Sequence, residues 1–134
     1  MTFGIVIALS LPILVAGQAV SETVPVRRSQ GLPTWQAAMA CNHVTVALTQ
    51  ERVEKLRGLI YWDEEARRLN RLTRMFILYA KDRLREDPSI PPTKYVKTTW
   101  NEGRRWDFVP KNRWPTLASC ERMAKAIEPL FKQE

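Results

Sequence analysis

The pattern of apolar and polar residues changes character several times along the chain. Residues 2–20 carry no charge, and their most apolar part runs from Phe3 to Ala16 with Pro12 inside it. A short apolar run followed by small residues has the form of the h-region of a secretory signal peptide. Gly17-Gln18-Ala19 places small residues at the minus-three and minus-one positions of a cleavage after Ala19, and Ala19-Val20-Ser21 offers a second site. No Lys or Arg precedes the run, and the first basic pair, Arg27 and Arg28, lies beyond it. A retained membrane anchor over residues 2–20 is therefore the competing expectation, since about 20 apolar residues can span a bilayer. A start further upstream is the third. Residues 20–33 are polar, contain Pro25, Gly31 and Pro33, and read as a flexible leader.

Helical periodicity begins at Thr34, a residue type suited to cap a helix. Ala37, Cys41, Val44 and Leu48 recur at steps of four, three and four, which marks one helical face. The β-branched Val44-Thr45-Val46 run offers a short strand as an alternative. Thr49 opens a second helical stretch to Leu59, with Val53, Leu56 and Ile60 on one side. Gly58 and Tyr61-Trp62 mark a break.

The strongest pattern starts at Asp63, a capping residue followed by Glu64 and Glu65, where the helix dipole favours negative charge. It predicts a helix to about Glu86, stopped by Asp87-Pro88. Leu69, Leu72, Phe76, Tyr79 and Ala80 fall on one arc of it, flanked by Thr73, Ile77 and Leu84. Residues 95–109 then suggest a period of two. They predict an antiparallel β-hairpin with Asn101-Glu102-Gly103 as its loop and Gly103 in the left-handed position. One face would carry Val96, Trp100, Trp106 and Phe108, and Lys97 would pair with Asp107 across the strands. A last helix begins at Thr116, with Leu117, Cys120, Ala124 and Ile127 on one face, and is expected to end near Glu128 before Pro129. The expected fold is thus α+β and mainly helical: three to four helices plus one antiparallel hairpin, in a single small domain over residues 34–134.

Composition adds three points. A chain of 134 residues has room for one domain. Its two cysteines, Cys41 and Cys120, both lie on apolar helix faces, and an even count in an exported chain favours a disulfide. With one histidine besides, the sequence offers no four-ligand zinc set, and no motif calls for a metal or a cofactor.

The third point is charge. Twenty-one Lys and Arg against 14 Asp and Glu give a net charge of +7. Arg67, Arg71, Arg74, Lys81 and Arg85 lie within about 40° of one line along the helix that starts at Asp63. The stripe extends over roughly 27 Å, opposite the apolar arc. Arg104 and Arg105 enlarge the basic surface, in a segment whose aromatics are otherwise expected in the core. Such a face suits an anionic surface: membrane phosphate, a wall polymer or an acidic protein.

Signals for catalysis are weak. Cys41 and His43 stand two residues apart and so point to different sides of a helix. No Gly-x-Ser-x-Gly elbow or phosphate loop occurs. Glu64, Glu65, Glu102 and Asp107 are carboxylates of the kind glycan-cleaving enzymes pair, but each has a structural role in the pattern above. The expected function is a small exported, non-enzymatic binding or accessory protein with a basic face. A small secreted hydrolase is the alternative, and a nucleic-acid-binding protein the third.

Overall fold

A computed structural model describes residues 31–57 and 63–132. The expected signal peptide or anchor, most of the leader, and the break at 58–62 lie outside the described residues. The described chain forms α1 (Trp35–Leu56), α2 (Glu64–Arg83), α3 (Tyr95–Arg105) and α4 (Leu117–Phe131), with short 3-10 turns between them. No helix among the described residues is long and apolar enough to cross a membrane.

Thr34 caps α1, its hydroxyl accepting from the Ala37 N–H at 3.1 Å. The helix runs unbroken through Val44-Thr45-Val46 and past Thr49. The helical face of Ala38, Cys41, Val44 and Thr45 is buried, and the threonine hydroxyls are accommodated within the helix: Thr45 donates to the Cys41 carbonyl at 3.1 Å, and Thr49 to the Thr45 carbonyl at 2.7 Å. The expected strand alternative and the restart at Thr49 are therefore replaced by one 22-residue helix. It stops at Arg57, which turns left-handed at φ 53° and donates its N–H to the Val53 and Glu54 carbonyls.

Asp63 caps α2 as expected, accepting from the Ala66 N–H at 2.8 Å. The same carboxylate takes two 2.7 Å bonds from Arg52 of α1, which draws the end of one helix to the start of the next. That guanidinium is the main reason the Asp63 carboxyl titrates at about 2. The predicted apolar arc is inward: Leu69, Phe76, Tyr79 and Ala80 are buried, with Leu72 half-buried. A 3-10 turn over Leu84–Glu86 ends the element near the expected place.

The hairpin is not formed. Residues 95–105 are an α-helix and Trp106–Phe108 a 3-10 turn, and no strand occurs among the described residues. The fold is all-helical rather than α+β. The inward face of α3 is carried by buried Thr99 with half-buried Tyr95, Glu102 and Gly103. The large apolar residues assigned to the hairpin core, Val96, Trp100 and Phe108, are 67%, 64% and 81% exposed. Gly103 sits inside the helix, not at a left-handed turn. Asp107 faces His43 of α1 rather than pairing with Lys97. A two-stranded ribbon would leave outer backbone groups unpaired, whereas a helix pairs its own.

Thr116 caps α4 through the Ser119 N–H at 3.1 Å. The helix continues through Pro129 to Phe131, beyond the expected end. Proline's fixed φ fits a helix, and only the last turn lies beyond it. The core joins α1, α2 and α4 around Met39, Cys41, Phe76, Tyr79, Cys120 and Ile127. Cys41 and Cys120 form the expected disulfide, buried, with Cα atoms 5.5 Å apart.

Candidate functional site

Two features of the surface stand out, one basic and one concave. The basic one begins where the α2 pattern placed it. Arg67, Arg71 and Arg74 are all exposed on the side of α2 away from the buried arc. None of the three has a carboxylate within 4.0 Å among the described residues. By contrast Arg68, one position off the row, is held by Glu65 and by Glu121 of α4.

The other cations assigned to this face have different surroundings. Lys81 is half-buried and lies between two depressions in the surface. Arg85 lies in the 3-10 turn after α2 and approaches Asp82 at 3.3 Å. Arg105 is paired with Glu102 at 2.6 Å. Arg104 is exposed on α3 and shares a groove with Lys81. The seven assigned cations therefore divide into an unpaired α2 row, two neutralised arginines, and a Lys81–Arg104 couple at the groove.

That groove has a volume of about 690 Å³ and runs between α1, α2 and α3. Met39 and Val46 of α1 line it, with Ile77 of α2 and Trp100 of α3. Its floor includes Gly103, where an added Cβ would come only to ordinary contact, 3.5 Å from the Met39 methyl. A second depression of about 790 Å³ lies near the ends of α2 and α4, and there Arg85 already has Asp82 beside it.

His43 and Asp107 also line the groove. The Trp114 ring meets the His43 ring edge-on at a centroid distance of 4.7 Å. The Nε2 atom of His43 is buried without a hydrogen-bond partner, and Asp107 Oδ1 stands 3.7 Å away, too far to accept. Burial lowers the His43 pKa below its ordinary value, and the Asp107 charge opposes that shift. A neutral imidazole beside a carboxylate has the form of a base with its orienter. However, Cys41 is tied in the disulfide, and the lining residues include no serine or cysteine. Thr99, which also lines the groove, donates its hydroxyl to the Tyr95 carbonyl at 3.0 Å. Of the other carboxylates weighed for catalysis, Glu65 and Glu102 are each bonded to an arginine.

The groove escaped detection in the sequence, although a signal for it exists. Val96, Trp100 and Gly103 recur at steps of four and three, so they share one stripe of α3, and Asp107, four further on in the 3-10 turn, extends it. Treating 95–109 as strands scattered them. No protein-family model, curated protein or solved structure matches this chain.

Proposed function

We propose that this is a small exported, non-enzymatic binding protein whose α2 face docks on an anionic partner. The observation that carries this is the row formed by Arg67, Arg71 and Arg74, exposed and without carboxylate partners among the described residues. Ordinary helix faces mix both signs of charge. Leaving three guanidinium groups uncompensated raises the local potential, at a cost in self-repulsion that a partner's anions would relieve. The net charge of +7 acts in the same direction. Export is supported by the buried Cys41–Cys120 bridge, since such bonds persist in oxidising compartments and are rare in the cytosol. Outside the cytoplasm the repeated anions within reach are membrane phosphates, acidic wall polymers and acidic protein surfaces.

The test is binding of the purified protein to vesicles containing phosphatidylglycerol, to vesicles of phosphatidylcholine alone, and to soluble polyglutamate. Binding to at least one anionic target is expected, falling steeply as salt is raised. Arg71→Glu with Arg74→Glu should weaken it by about tenfold or more, because attraction becomes repulsion at two adjacent positions. Both side chains are exposed, so the fold should survive. Affinity that ignores salt and the double substitution would sink the proposal.

A further inference from the structure

The α2 row leaves the groove between α1, α2 and α3 without a role, and the groove has the attributes of a ligand site in its own right. Its volume of about 690 Å³ is within the roughly 300–1,000 Å³ usual for small-molecule sites. Two of its residues, Val96 and Trp100, stand four apart on α3 and are exposed to 67% and 64%. They present to the groove an apolar edge that nothing in the described chain covers. Beneath that edge Met39, Val46 and Ile77 continue the apolar lining. Gly103 lines the groove beside Met39, where a Cβ would come only to ordinary contact at 3.5 Å, so a side chain as large as leucine would take up space in it.

Charge decides what kind of apolar molecule suits it. Lys81 comes from α2 and Arg104 from α3, so two successive helices each supply a cation to one cavity. Neither has a carboxylate within 4.0 Å among the described residues. Among the described residues the lining holds one carboxylate, Asp107, 3.7 Å from His43, so its cations outnumber its anions two to one. An apolar body alone would leave both cations unanswered, and a cationic amphiphile would be repelled by them.

We propose that this groove binds a single-chain amphiphile with one anionic head group, its apolar body against Trp100, Val46 and Ile77 and its head between Lys81 and Arg104. The site is separate from the Arg67–Arg71–Arg74 row and does not depend on it.

Calorimetric titration of the purified protein with dodecanoate, kept below its micelle-forming concentration, tests this directly. Dodecyltrimethylammonium supplies the same chain with the opposite charge. Dodecanoate is expected to bind at one site per chain, with the ammonium compound about tenfold weaker or worse. Lys81→Gln with Arg104→Gln should remove that preference. Gly103→Leu, which fills the floor without touching a charge, should abolish binding of both. Arg71→Glu with Arg74→Glu should leave dodecanoate binding unchanged, which separates this site from the anionic-surface face. Equal affinity for the two detergents would overturn the assignment of the head group. Retained dodecanoate binding in Gly103→Leu, with circular dichroism showing the helices intact, would overturn the site. So would a protein that sediments as a dimer dissociated by Trp100→Ala, since a second copy would then occupy the groove.

Discussion

His43 is the single histidine of the chain, so its ring can be followed without ambiguity. Its surroundings set two opposed forces on the proton. Burial under Trp114 and beside α3 penalises the imidazolium, and Asp107 Oδ1 at 3.7 Å favours it. Burial is the larger, so the midpoint of an NMR titration should fall below the ordinary value of 6.5. Asp107→Asn removes the opposing charge and should lower the midpoint further. The consequence for stability follows from linkage. The unfolded chain takes up this proton at higher pH than the folded one, so the contribution of neutral His43 is complete above about 6.5. It is lost as pH falls from there through the folded midpoint. A midpoint at or above 6.5, or one that rises in Asp107→Asn, would contradict the packing described for this ring.

At the scale of the element, α3 carries the most unusual sequence, and Gly103 is its telling residue. A glycine inside a helix costs about 0.5–1 kcal/mol relative to alanine, because the unfolded chain loses more freedom. Here no left-handed backbone or close approach requires it, since a Cβ would meet only the flexible end of Met39 at 3.5 Å. Gly103→Ala should therefore stabilise the protein by about 0.5–1 kcal/mol in urea denaturation, unlike the bulkier leucine at the same position. Destabilisation would mean that α3 packs closer to α1 than these distances allow. The same glycine explains why α3 was illegible from sequence. Asn101-Glu102-Gly103 has the chemistry of a hairpin loop, and Trp106 with Phe108 has the look of a strand. Of the residues that face inward, Thr99, Glu102 and Gly103 are not apolar and Tyr95 is only half-buried, so the helical period carried a weak hydrophobic signal. By contrast, α2 was legible almost to its ends. Its cap at Asp63, its buried arc and its outward arginines all follow from one sequence pattern, because there the inward face is also the greasy one. The basic row was legible for the same reason. The α3 side of the groove was readable from the Val96–Trp100–Gly103 spacing, but its pairing with α1 was not, since no local pattern encodes which helices meet.

At the scale of the whole molecule, the question is what holds α4 to the rest. Cys120, Ala124 and Ile127 of that helix are buried, and Met123, Leu130 and Phe131 pack on the core half-buried, which is a modest apolar contribution. Two connections supplement it: the bridge from Cys120 to Cys41 of α1, and the ion pair from Glu121 to Arg68 of α2. The ion pair is partly exposed and contributes little by itself. The bridge closes a loop across a sequence separation of 79, and in the chain-entropy account a loop of that length contributes about 4 kcal/mol by restricting the unfolded chain. That is a large part of the stability of a domain this size. Cys41→Ala with Cys120→Ala should therefore lower the unfolding free energy by about 4 kcal/mol, measured by urea denaturation. Hydrogen exchange in the same variant should show the first loss of protection in α4, ahead of α1 and α2, since those two remain joined by their apolar faces and by Arg52–Asp63. If exchange rises uniformly across the three helices, α4 is bound to the core more firmly than its buried residues indicate, and the bridge acts on the unfolded chain alone. If α4 opens first, the disulfide also has a local role: it seats the helix whose Glu121 holds Arg68, one position from the unpaired arginine row.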